Sequence, residues 1–176
     1  RNQNNKCKSM KLIMSDKPIN LEIGENKDIK YIDLSSMKIA NCVGCFGCWT
    51  KTPGKCVIRD DATKVYPYIA ESSSVIYVSH IKYGGYDSVM KTMIERAIPI
   101  QQAFIRIHRG ETHHVQRNVA TKDATIIAYG DTDRAEQDIF RQLVERNARN
   151  MNFGKYEIVF VTEQEVEETV KNELKK

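Results

Sequence analysis

Four cysteines stand in one short run, Cys42, Cys45, Cys48 and Cys56, with the pattern C-x2-C-x2-C-x7-C. Thiols at this spacing serve metal binding or redox chemistry. Two intervening residues let one tight turn aim two sulfurs at a common centre, and Gly44, Gly47 and Gly54 can take the positive φ such turns need. Pro53-Gly54 then turns the chain so that Cys56 comes back. The first three spacings are those of a [4Fe–4S] loop, and four thiolates complete the ligand set of one cluster or one zinc ion. Structural zinc usually takes two separated C-x2-C knuckles. Free, partly buried thiols lining a cofactor loop are a third reading. A fifth cysteine, Cys7, makes the count odd, and a chain of this length needs no disulfide staples.

The elements that must position this run alternate between short β segments and amphipathic helices. Lys11–Met14, 29–33, 75–78, 125–128 and 157–161 read as strands. The β-branched content of Val75-Ile76-Tyr77-Val78 indicates burial on both faces. Helices are expected from Asp60-Asp61, as caps, to Ala70, from Ser88 to Ile98 and from Asp133 to Asn147. In the last of these, Ile139, Phe140, Leu143 and Val144 should face inward, and Asp133 with Glu136 should form a capping box. Thr162 and Glu165 should cap a charged C-terminal helix.

Five strands alternating with helices predict a doubly wound α/β domain: a flavodoxin-like three-layer sandwich on a five-stranded parallel sheet, order 2-1-3-4-5. Residues 1–9 form a polar N-terminal extension, Met10 has the look of a chain start, and 10–176 make a single domain. Ligands of such sheets bind at the carboxyl ends of the strands, near the switch point. The cysteine run, the loop Ser79-His80-Ile81-Lys82-Tyr83-Gly84-Gly85-Tyr86 and the turn Tyr129-Gly130-Asp131-Thr132 should therefore converge on one edge.

With these residues placed, the chain resembles the flavodoxin-like NAD(P)H-dependent FMN oxidoreductases, and within them the iron–sulfur flavoprotein branch. The resemblance rests on CVGCFGCWTKTPGKCVIRDD, on VIYVSHIKYGGYDSVMKTMIERA and on GETHH, and covers most of 29–153. It implies non-covalent FMN, a homodimer or homotetramer, and electrons from a nicotinamide or ferredoxin-type donor. It also implies a [4Fe–4S] cluster on Cys42, Cys45, Cys48 and Cys56. The loop after the third strand would meet the flavin through Ser79, His80, Lys82, Tyr83, Gly84, Gly85 and Tyr86, with Gly130 beside them. The two glycines permit close backbone approach, and His80 and Lys82 bring positive charge. No general acid or base is required.

The first loop departs from that pattern. The resemblance implies a Gly-Ser-Pro-Arg-like turn and then a long helix whose N-terminus holds the FMN phosphate. This chain has Ser15-Asp16-Lys17-Pro18, then weak helical periodicity up to Ile29, so the first crossover helix should be truncated. Ser15 and Lys17 remain candidate phosphate ligands, while Asp16 puts a negative charge where the phosphate should sit. A flavodoxin-like protein that has lost flavin, acting as a binding or zinc-stabilised module, is the alternative.

The segment 99–118 is too long for a simple connection. It should cover a partner's flavin or form an oligomer contact. His113-His114, as strand neighbours, would point to opposite faces and so not ligate one ion together. Arg106, Arg109 and Arg117 could attract a nicotinamide cofactor's phosphates. The net charge of +4 suits small anions and gives no case for nucleic acid. No apolar run reaches a membrane span and no secretory segment shows, so a cytoplasmic protein is expected.

Overall fold

The computed structural model describes residues 10–24, 26–108 and 110–176. The segment 1–9 with Cys7, and Arg109, lie outside the described residues. The chain folds as a flavodoxin-like α/β domain. Strands β1 (Lys11–Ser15), β2 (Ile29–Asp33), β3 (Ser74–Lys82), β7 (Lys122–Tyr129) and β8 (Phe153–Val161) form one sheet in the order β2-β1-β3-β7-β8. All four ladders are parallel. This is the expected 2-1-3-4-5 order with one addition: β4 (Gly85–Tyr86) folds back antiparallel onto the end of β3.

β3 is central because its side chains are buried on both faces. Val75, Tyr77 and Ile81 join one core, and Ile76 and Val78 join the other. Each such aliphatic side chain contributes about 1.5–3 kcal/mol on burial. The first core is closed by α2 (Ala62–Glu71), α3 (Ser88–Glu95) and α4 (Arg134–Asn150), through Val65, Ile69, Met90, Met93, Phe140 and Val144. The second is closed by α5 (Val166–Leu174), through Val166 and Val170. Thr162 and Glu165 form the expected capping box before it.

No helix joins β1 to β2; among the described residues of 16–28 the backbone is irregular. Ile19, Leu21 and Ile23 lie against the second core where a crossover helix would otherwise pack. The segment after α3 is a hairpin rather than a loop. β5 (Gln101–His108) pairs antiparallel with β6 (Glu111–Gln116) outside the main sheet. Phe104, Ile105 and Ile107 on β5 are exposed. Among the described residues no helix is long and apolar enough to cross a membrane.

Candidate functional site

The candidate residues fall into three neighbouring groups. The first sits at the switch point, at the carboxyl ends of β1, β3 and β7. Asp16 follows β1 and turns back over the sheet. Its Oδ2 accepts from the His80 N–H at 2.7 Å and the Ser79 hydroxyl at 3.0 Å, and its Oδ1 from the Tyr129 hydroxyl at 2.8 Å. Burial pushes the Asp16 carboxyl above the ordinary carboxylate range, against the opposing pull of these bonds. Burial and the Asp16 bond push the Tyr129 hydroxyl up in turn.

Ser15, Lys17, Ser79, His80 and Gly130 all belong to this group, but each is already engaged. The Ser15 hydroxyl donates to the Lys17 carbonyl at 2.5 Å. The Lys17 ammonium pairs with Glu163 at 2.7 Å. Gly130, at φ +126, lies under the His80 ring, and a Cβ there would meet His80 Nε2 at 2.8 Å. These residues do not fit a ribityl phosphate. The helix that would present its N-terminus is missing, and a carboxylate holds the anion position.

The second group is a cavity of about 580 Å³, within the size range of ligand pockets. Lys82, Tyr83, Gly84, Gly85 and Tyr86 form one wall; Ile94 of α3 and Ile139, Leu143 and Asn147 of α4 form the other. The structure thus brings five predicted residues to one place. Tyr83, at φ 53, is 85% exposed. Gly84 has φ +69, and its Cα faces Ile139 so closely that a Cβ would lie 2.6 Å from that side chain. Ile139 and Leu143 were expected in the core. They are exposed instead, because the apolar stripe of α4 is wider than the sheet it covers, and its outer edge lines this cavity.

The cysteine loop is the third group. Gly44 and Gly54 have the expected positive φ, and Phe46 also takes φ 54. Gly47 does not; it opens the short helix α1 (Gly47–Thr50), and its role is close packing, since a Cβ would meet Val57 at 2.7 Å. Cys42 and Cys45 are exposed, Cys48 and Cys56 half-buried, and all four are free thiols. Burial, and then the neighbouring Cys56, Cys42 and Cys45, push the Cys48 thiol up. Among the described residues no three His, Cys, Asp or Glu side chains stand gathered for a metal ion.

Two anchors hold the loop. Trp49 donates from Nε1 to the Gln101 carbonyl at 3.1 Å and packs on His114, ring centroids 4.6 Å apart. Arg96, buried at the end of α3, reaches Asp60, the Ala40 carbonyl at 2.7 Å and Cys56 Sγ at 3.4 Å. Asp60 was expected to cap α2. It does accept from the Ala62 N–H at 3.2 Å, but its main partner is Arg96. Burial pushes the Asp60 carboxyl up, and the Arg96 and Ala40 bonds more than reverse this, leaving it below the ordinary value.

A smaller cavity of about 210 Å³ shares Ile94 and Asn147 with the larger one and runs to Gln101 and His114, the two residues that hold Trp49. The smaller cavity thus lies between the larger one and the hairpin residues that anchor Trp49. His113 and His114 point apart as expected: His113 meets Asn150 and Glu111, and His114 meets the Gln102 carbonyl. Arg117 lies against Gly54. Arg106 sits opposite His113 on the hairpin.

This sheet order, with its crossovers and its carboxyl-edge loops, defines a flavodoxin-like protein. Comparison with known proteins agrees. An iron–sulfur flavoprotein of Archaeoglobus fulgidus is 38% identical over 72 residues, which are 41% of this chain and 32% of that protein. An iron–sulfur flavoprotein of Methanocaldococcus jannaschii is 29% identical over 80 residues, 46% of this chain and 40% of that one. The matched stretch thus spans only about a third to two fifths of these relatives. An FMN-dependent NADH-azoreductase of Bacillus anthracis, solved with FMN, superposes with a TM-score of 0.58 over 94% of this chain and 95% of its own, at 13% identity. No family profile matches the chain. The resemblance to the iron–sulfur flavoproteins, drawn first from the cysteine run and the loop after β3, is borne out by the two relatives of that name.

Proposed function

We propose that the chain is an electron-transfer component of a flavin-dependent oxidoreductase, with Cys42, Cys45, Cys48 and Cys56 as the ligands of a [4Fe–4S] cluster. The carrying observation is the loop itself. Four thiols at cluster spacing ride on a backbone with two positive-φ glycines, and that backbone is clamped by Arg96 on one side and Trp49 on the other. The donor chemistry fits, four sulfurs for an iron–sulfur cluster, and the Arg96 N–H beside Cys56 Sγ is the kind of contact that orients a ligating sulfur; the thiols do not stand gathered among the described residues, so loading would draw the loop together. When bound, the cluster would supply one-electron transfer. The protein's part is to hold the thiols on one loop and orient them.

A flavin ring would lie against Lys82, Tyr83, Gly84, Gly85 and Tyr86, in the larger cavity. A nicotinamide or ferredoxin-type donor would feed it, and the exposed Phe104, Ile105 and Ile107 favour assembly into a homodimer or homotetramer. Anaerobic purification followed by iron, sulfide, zinc and flavin analysis tests the proposal. About four iron and four sulfide per chain are expected, with the iron content of Cys45→Ala falling by half or more. A colourless protein with stoichiometric zinc, or a Cys45→Ala variant with unchanged iron, would overturn it.

A further inference from the structure

The switch point carries its own anion. In sheets of this order a phosphate is held there by main-chain N–H groups and hydroxyls. Here those donors are spent within the chain. From Asp16 to Ile19 each main-chain N–H has an acceptor: the Val78 carbonyl for Asp16, the Ser15 hydroxyl for Lys17 and the Tyr31 hydroxyl for Ile19. Pro18 has no N–H to give. The Ser79 hydroxyl, the His80 N–H and the Tyr129 hydroxyl, which come from β3 and β7, all converge on Asp16. Lys17, the nearest flexible cation, is drawn off by Glu163.

We infer that Asp16 is a specificity residue that makes this switch point reject phosphate-bearing ligands. The inference rests on the flavin reading above. A carboxylate offers about four acceptor positions, and three are used. What remains is another acceptor, which offers nothing to a phosphate ester that needs donors. A dianion brought beside the carboxylate also meets like charge in a half-buried setting, where screening is weaker than in water.

Titration of the anaerobically purified chain with riboflavin and with FMN, read by flavin fluorescence, tests this. Riboflavin should bind more tightly by about tenfold or more, the scale of like charges a few ångströms apart. Equal affinity, or tighter FMN, overturns the inference while leaving the flavin reading intact. A second arm uses inorganic phosphate alone and reads the unfolding temperature. The wild type should not respond, whereas Asp16→Ser, which frees the His80 N–H and the Tyr129 hydroxyl, should gain about a few degrees at saturating phosphate. If neither flavin binds, the flavin reading falls, and the phosphate arm still judges Asp16: a wild-type response to phosphate sinks the inference, and its absence upholds it. The wild-type arms stand alone if Asp16→Ser does not fold.

Discussion

Arg96 and Asp60 meet in a two-pronged ion pair, Nη1 to Oδ2 at 2.6 Å and Nη2 to Oδ1 at 2.8 Å, with the guanidinium 1% exposed. The pair joins the end of α3 to the segment that closes the cysteine loop. The same guanidinium also holds the Ala40 carbonyl just ahead of Cys42 and touches Cys56 Sγ, so both ends of the loop converge on one side chain.

Arg96→Met should therefore destabilise the fold by about 3–5 kcal/mol, the cost of leaving one buried partner unpaired. Asp60→Leu combined with Arg96→Met should recover part of that loss in urea unfolding. The pH response has a defined sign. Asp60 lies below its ordinary value in the folded state, so its contribution is complete above 3.8 and is lost as pH falls through the folded value. Wild type should show that acid loss; Arg96→Met should not.

Lys122 predicts the opposite limb of the pH profile. It is 1% exposed at the start of β7, and burial pulls its ammonium down to about 8. Between about 8 and 10.5 the unfolded chain binds the proton and the folded chain does not, so stability rises with pH across that window. Below it, the fold carries the cost of a buried ammonium, at most about 3 kcal/mol. Bonds to the Ala120 carbonyl at 2.7 Å and the Met151 carbonyl at 3.3 Å return part of that cost. Lys122→Met should abolish the alkaline rise, measured as unfolding midpoints near pH 7 and about pH 10.

Gly84→Ala tests the wall of the larger cavity. The residue sits at φ +69, and the new Cβ would lie 2.6 Å from Ile139 Cγ2 and 2.8 Å from its Cβ. Backbone strain and overpacking together should cost about 2–4 kcal/mol. Ile139→Ala in the same chain should remove the overpacking and leave the strain, so the double variant should be more stable than Gly84→Ala alone. Equal stability would show that α4 yields freely at this point.

The parts of this architecture that follow from local rules were legible in the residues. Val75 to Val78 announced a strand buried on both faces, Thr162 and Glu165 announced a helix start, and Pro18 with Gly24 announced the missing crossover helix. Contacts assembled from distant segments were not. Asp16 takes its donors from residues 63, 64 and 113 positions away, and Arg96 finds Asp60 across 36; neither leaves a period or a spacing in the chain. The hairpin over 101–116 was hidden for another reason. Only Ile105-Arg106-Ile107-His108 alternates, too briefly to mark a strand beside the adjacent Phe104, and the apolar members are exposed rather than on a buried face.

Trp49 supplies a direct optical test of the joint between the cysteine loop and the hairpin, because the chain has one tryptophan. Its indole donates to the Gln101 carbonyl, its ring lies on His114, and Phe46 stacks on it with centroids 5.5 Å apart. Trp49→Phe keeps most of the apolar contact and loses one hydrogen bond, a cost of about 1 kcal/mol. Trp49→Ala also gives up the aromatic packing and should cost about 2–3 kcal/mol, with faster alkylation of the adjacent Cys48 as the loop comes free. In the wild type, iron loading at Cys42, Cys45, Cys48 and Cys56 should quench the tryptophan emission, since a visible-absorbing cluster would sit one residue from the indole. Emission that is unchanged while iron binds would place the metal elsewhere in the chain.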